Sequence, residues 1–254
     1  MTNPAAADAR PWYATWFESP WYMELYRHRG DDEARQVVQL IDHTMHIPHG
    51  AQILDLCCGF GRHTVALAER GYVTTGLDYS EYLIAHARRY NAHDNARYVV
   101  GDIRGPYPSN SYALIANLFT SFGYFDDHSQ HLAALSAVER HLAADGRFVM
   151  DFFNADVLRR TLVPESMTMI GQTTVIQERW IEEHFVCKRI TINDPCSSEH
   201  TFEERVWLYS PEDLRQMMTQ VGLIPIRAFG SYHGETFQPD VSTRIILIAE
   251  KAAT

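Results

Sequence analysis

No stretch of this chain comes near the roughly 18 consecutive apolar residues of a membrane-crossing helix, and its start lacks the basic flank and apolar core of an export signal. Both absences predict a cytoplasmic protein with no membrane partner. Basic residues are scarce too: 22 Lys and Arg stand against 32 Asp and Glu, a formal net charge of −10. No basic cluster relieves that excess, so a phosphate backbone would be repelled and nucleic acid is not expected as a partner. Cysteines are few. Cys57, Cys58, Cys187 and Cys196 form no C-x-x-C pair, which fits a reducing compartment, and the adjacent two read as small buried hydrophobes. His43, His46 and His49 have a spacing of three, but Pro48 interrupts the helix and no carboxylate or cysteine completes a ligand set. No metal is predicted.

What is present is a chain of 254 residues, 46% of them hydrophobic, enough for one α/β domain with an elaboration. Its most informative stretch runs from Ile53 to Gly61, ILDLCCGFG, followed by a helical pattern from Arg62 to Arg70. This reads as a strand buried on both faces, a glycine turn and a helix; the glycines let backbone approach a ligand where a Cβ would clash. Asp78 ends the next apolar run, Tyr72 to Leu77, at the spacing where a carboxylate accepts hydrogen bonds from ribose hydroxyls. A nucleoside-sized cofactor is implied.

The segment from Asp55 to Gly61 resembles motif I of the class I S-adenosylmethionine-dependent methyltransferases. That resemblance makes Asp55, Cys57, Gly59 and Gly61 the cofactor turn and Asp78, with Tyr79, the ribose-binding acid. It also makes Asp102 and Ile103 the neighbours of the adenine, and Asn117 and Leu118 the segment after the fourth strand. A nicotinamide-dinucleotide fold competes, but its third glycine position holds Thr64. A non-catalytic S-adenosylmethionine-binding or partner protein is the alternative from another class, and the intact set of acids and glycines counts against it. In similar small-molecule methyltransferases a tyrosine and an arginine ahead of the first strand hold the methionine end, which nominates Tyr22 and Arg29. The resemblance extends from Trp16 to Ala249, to a bacterial group of stand-alone enzymes, and implies the reaction rather than the acceptor.

Taken in order, a dense aromatic segment (Trp12, Tyr13, Trp16, Phe17, Trp21, Tyr22, Tyr26) either packs on the body or, within an N-terminal helical lid of residues 11–46, covers the cofactor; one segment can do both. Residues 31–45 have helical spacing, with Val37, Leu40 and Ile41 on one face and Asp31 and Asp32 as caps. Strands and helices then alternate, predicting a Rossmann-like sheet of seven strands, mostly parallel, with helices on both faces and an antiparallel last strand. Its strands include 97–100, 112–116 and, after an Asp145-Gly146 turn, 147–152. Asp55, Asp78, Asp102 and Asn117 all fall at strand carboxyl ends, where such sheets bind ligands. From 167 to 207 the pattern changes to three alternating β-branched runs, an inserted antiparallel sheet. It serves either as a substrate cover or as the surface of a homodimer. Ser210-Pro211 opens a final helix ending at Gly222, before the closing strands.

Because a sulfonium methyl is already activated, the chain needs to align a nucleophile and exclude water. Candidate bases are Tyr124, His128 and His233, none with a context that marks it catalytic. Phe119, Tyr124, Arg179, Tyr209 and Tyr232 are the candidate substrate contacts. The expected acceptor is a small polar or amphipathic molecule methylated at nitrogen, oxygen or sulfur, an amine by analogy with N-methyltransferase insertions.

Overall fold

The computed structural model describes residues 10–27 and 30–252. Two short helices, α1 (Trp12–Trp16) and α2 (Pro20–Tyr26), precede the long α3 (Asp31–Met45). Ser19 caps α2 with Pro20 at its first position, a preorganised start. Gly30, not an aspartate, takes the cap position of α3, with no side-chain bond. The body then alternates β1 (Gln52–Leu56), α4 (Arg62–Glu69), β2 (Val73–Asp78), α5 (Glu81–Tyr90), β3 (Ala96–Val100), β4 (Tyr112–Asn117), α6 (His128–His141), β5 (Leu142–Phe153) and α7 (Ala155–Thr161). An inserted sheet follows, of β6 (Glu165–Ile170), β7 (Thr173–Glu182), β8 (Phe185–Asn193) and β9 (His200–Trp207), before α8 (Pro211–Gln220), β10 (Leu223–Phe229) and β11 (Arg244–Lys251).

The main sheet has the order β10-β11-β5-β4-β1-β2-β3. β1 to β5 are mutually parallel, and β11 runs antiparallel between β5 and β10. The expected seven-stranded architecture is therefore present. Helices cover both faces, as continuous apolar strands require: Ala134, Leu135 and Val138 of α6 and Leu214, Met217 and Met218 of α8 fill one layer. Val37, Val38 and Ile41 of α3 fill the other, with Leu67 of α4. His46 ends α3 in a left-handed conformation at φ 50°, and His49 stacks on Tyr72, 6.1 Å between ring centroids.

Three boundaries differ from the sequence reading. Helix α7 was not expected. β5 begins at Leu142, and Asp145-Gly146 lies within a register shift of the β4–β5 pair, where a Cβ on Gly146 would stand 2.7 Å from the Tyr112 carbonyl oxygen. The inserted sheet has a fourth strand, β6, an edge strand with Met167 and Met169 exposed, so it shows none of the buried alternation that reveals a strand. On the other face of that sheet, Val175, Ile190 and Ile192 pack with Trp16 and Leu25. Helices α1 and α2 thus dock on the insertion, while α3 belongs to the core of the body.

Candidate active site

The carboxyl end of the parallel sheet forms the floor of a cavity of about 420 Å³. At its centre the turn after β1 is pinned to the end of β2: the Cys57 and Cys58 amides both donate to the Leu77 carbonyl, at 2.7 and 3.0 Å. The Gly59 amide donates to Asp78 Oδ2 at 2.8 Å and the Ser80 amide to Asp78 Oδ1 at 2.9 Å. Burial pushes the Asp78 carboxyl up against those bonds, and each oxygen keeps a lone pair for another donor. A Cβ on Gly59 would meet nothing within 4 Å, so this glycine leaves open space at the cavity wall. Burial also pushes both thiols of the turn well up, keeping Cys57 and Cys58 protonated.

Not every expected cofactor residue faces that space. Tyr22, Cys57, Gly59, Asp78, Tyr79, Asp102, Ile103 and Leu118 line the cavity, and Asp55, Gly61 and Asn117 do not. Asp55 points behind the turn, accepting from Thr64 Oγ1 at 2.6 Å, with burial pushing it up to about 7. A Cβ on Gly61 would stand 2.5 Å from the Tyr98 ring, so this glycine serves packing. Asn117 Nδ2 ties the Leu56 and Ser121 carbonyls together, at 3.0 and 3.3 Å. Arg29 lies outside the described residues. Asp102 is held by its near neighbour Arg104, whose amide and Nε each donate to Oδ1 at 2.8 Å. Burial would raise the Asp102 carboxyl, but these bonds and the Arg104 charge outweigh it and hold it low.

The wall between floor and roof is a strained turn after β4. Phe119 and Thr120 have φ of 66° and 58°, costly for side chains of this size and sustained only by surrounding contacts. Asp151 of β5 supplies them: its Oδ2 accepts from the Phe119 amide at 2.9 Å and its carbonyl from Thr120 at 3.0 Å. Arg244 Nη1 reaches both Asp151 oxygens at 2.8 and 2.7 Å, and the Tyr232 hydroxyl donates to Oδ2 at 2.5 Å. Arg62 lies over the Phe119 ring, 4.5 Å from its centroid. Tyr232 is therefore committed to Asp151 and stays outside the cavity, unlike the expected substrate contacts Phe119, Tyr124 and Arg179, which line it.

The roof comes from both distant segments. Trp12, Tyr13, Phe17, Tyr22 and Tyr26 line it from α1 and α2, and Arg179, Val186, Lys188, Glu204 and Val206 from the insertion. Glu204 joins the two, accepting from Trp16 Nε1 at 2.8 Å, Tyr26 Oη at 3.0 Å and Lys188 Nζ at 2.5 Å. Burial alone would raise its pKa; the Lys188 charge and these hydrogen bonds outweigh burial and hold the carboxyl below its usual range. Ser80 Oγ donates to the Phe17 carbonyl at 3.1 Å, fastening the roof to the floor. The sequence reading missed Glu204 and Lys188, although alternation along Phe202 to Val206 puts Glu204 on the apolar face.

Residues 53–146 match the methyltransferase domain family. The chain thus carries a methyltransferase domain and is similar in fold to S-adenosylmethionine-dependent methyltransferases. It is 25% identical over 210 residues to a dTDP-3-amino-3,6-dideoxy-α-D-glucopyranose N,N-dimethyltransferase of Streptomyces fradiae, covering 80% of this chain and 82% of that one. To a dTDP-3-amino-3,4,6-trideoxy-α-D-glucopyranose N,N-dimethyltransferase of Streptomyces venezuelae it is 27% identical over 219 residues, 80% of this chain and 88% of the relative. In fold it is similar to an S-adenosylmethionine-dependent methyltransferase from Clostridium acetobutylicum, with a TM-score of 0.78 at 18% identity over 91% and 96% of the two chains.

For a methyltransferase the position of any base matters, and the three candidates separate. Tyr124 lines the cavity, but its hydroxyl donates to the Thr120 carbonyl at 2.7 Å and burial pushes its pKa well up. It stays a phenol at neutral pH. His128 turns away from the cavity, its Nδ1 2.8 Å from the Tyr209 hydroxyl, which also meets His131 Nδ1 at 2.9 Å. Tyr209 is thereby enclosed between two histidines, outside the cavity, and His233 is exposed on a surface link.

Proposed function

We propose that the protein methylates the amino nitrogen of a small-molecule acceptor held between the sheet edge and the aromatic roof. The observation that carries this reading is the continuity of one roofed space of about 420 Å³ from Asp78 and Asp102 to Val186 and Val206, a scale suited to small molecules and not to a folded macromolecule. The two amino-sugar N,N-dimethyltransferases among its relatives support nitrogen as the acceptor atom.

The residues fit the cofactor on their own geometry. Asp78 would offer its free lone pairs to ribose hydroxyls, the Gly59 turn would give it a wall without a Cβ, and Asp102, Ile103, Leu118 and Tyr22, which line the same cavity, would hold the rest of it. Bound there, S-adenosylmethionine supplies a methyl group activated as a sulfonium. The chain's part is to hold a nitrogen in line and to exclude water. An amine that enters neutral needs no prior deprotonation, which agrees with Tyr124 being a poor base. The Phe17 ring, with its centroid 4.9 Å from that of Tyr22 and 5.9 Å from that of Tyr124, forms with them an aromatic cluster suited to a cationic centre.

Incubation with methyl-labelled cofactor and a fractionated metabolite extract tests the reading. Mass spectrometry should find the label on nitrogen in a small molecule. Label confined to RNA or protein would reject it.

A further inference from the structure

We propose that the acceptor carries an anionic group, a carboxylate or a phosphate, bound by Arg179. This rests on the reading of the cavity as the acceptor site. In the inserted sheet Arg179 of β7 pairs directly with Lys188 of β8, and Lys188 with Glu204 of β9. Directly opposed residues share a face, and all three side chains line the cavity. One transverse row of the roof thus presents two cations and one anion.

The anion is already used. Glu204 Oε2 meets Lys188 Nζ at 2.5 Å, and Oε1 takes the Trp16 and Tyr26 donors. Arg179 receives none of it. Its Nη1 donates to Ser166 Oγ at 3.0 Å and its Nη2 to Gln177 Oε1 at 2.8 Å, both neutral acceptors. Among the described residues no carboxylate forms an ion pair with it. With Lys188 neutralised by Glu204, Arg179 adds one uncompensated positive charge to the row, which a bound anion offsets. Val186 and Val206 line the same cavity, and low dielectric strengthens the attraction to a negative group. The Ser166 and Gln177 bonds orient the guanidinium, a planar fork matched to carboxylate or phosphate oxygens.

The experiment uses the whole protein, methyl-labelled S-adenosylmethionine and a metabolite extract, with the labelled small molecules passed over a strong anion-exchange resin at about pH 11, where a methylated amine has lost its proton and no longer cancels an anionic group. The labelled product should be retained. Phosphatase treatment beforehand distinguishes the two sources, abolishing retention of a phosphate ester and leaving a carboxylate bound. Arg179→Gln should lower product formation at limiting extract by about 10- to 100-fold, the scale of a hydrogen bond to a charged group, while calorimetric affinity for S-adenosylhomocysteine stays at the wild-type value. Arg179→Lys should recover part of the loss. Labelled small molecules that all pass the resin unretained would overturn the anion proposal and leave amine methylation standing, as would wild-type turnover by a folded Arg179→Gln. Label in no small molecule would instead overturn the reading of the cavity itself. The wild-type chromatography decides the matter whichever variant folds.

Discussion

The floor and the roof of the cavity are built on opposite principles. On the floor, each acid is held by groups close to it along the chain or in the next turn: Asp78 by the Ser80 and Gly59 amides, Asp102 by Arg104. The roof is joined by side chains far apart in sequence, with 188 positions between Trp16 and Glu204 and 178 between Tyr26 and Glu204. A floor of local bonds on buried parallel strands is rigid before any ligand arrives. The roof is joined by Glu204 and by the Lys188 Nζ bond to the Tyr26 hydroxyl at 2.8 Å, over aromatic and aliphatic packing.

That contrast predicts separable losses. The largest is expected for Glu204→Ala, which leaves the Trp16 indole without its acceptor and Lys188 without its counter-charge and should cost the roof about 3 kcal/mol. Hydrogen exchange should speed up in residues 12–26 and hardly at all in the main sheet; unchanged exchange there would mean that Glu204 does not hold the roof. Next, Asp78→Ala should weaken S-adenosylhomocysteine binding by about 1.5 to 3 kcal/mol in calorimetry, with the roof still protected. An unaltered affinity in a folded variant would place the ribose elsewhere. Smaller again is Gly76→Ala, whose methyl would come 2.7 Å from Thr64 Oγ1 and 2.9 Å from the Cys58 sulfur. Overpacking of this kind typically costs about 1 to 3 kcal/mol, read as a lower denaturant midpoint; no shift would show that helix α4 can slide.

The same contrast explains what could be read from the sequence. The sheet, its order of elements and the cavity-facing Gly59, Asp78 and Asp102 were legible because each rests on short spacing and strand periodicity. Asp55 and Gly61 belong to the motif yet point into packing, since a motif gives spacing and not the direction of a side chain at a strand end. Thr64 stands where the dinucleotide pattern has its third glycine, and Gly76, on the neighbouring strand, gives α4 its close approach to the sheet from the other side. Tyr209 and Tyr232 were expected as polar contacts of the substrate, and each hydroxyl instead finds its partner inside the protein, in His131 and Asp151. The Asp151–Arg244 pair spans 93 positions, and no local pattern announces such a contact.

The smallest predicted effect concerns the join between floor and roof, where His131 accepts the Phe125 amide on Nε2 at 3.1 Å. A nitrogen that accepts carries no proton, so the neutral ring is protonated on Nδ1 and donates there to Tyr209, whose hydroxyl in turn donates to His128. Burial first, and the neighbouring His128 second, lower the His131 pKa from 6.5 to about 3. An unfolded chain takes up this proton as pH falls below about 6.5, and the folded chain does not until about 3, so the stabilising contribution is complete above 6.5 and is lost through that window. Asp55 acts with the opposite sign: raised to about 7, it binds a proton in the fold before the unfolded chain does, and its contribution is lost as pH rises from 3.8. Whole-protein curves mix these with His63, whose pKa burial lowers likewise to about 3, and the difference between wild type and His131→Gln isolates the one histidine. Between pH 7 and about 5.5 the wild type should lose about 1 kcal/mol more than the variant in denaturant titrations. Parallel curves would mean that His131 takes up a proton within the fold, and that the Phe125 segment between floor and roof is not clamped by a neutral ring.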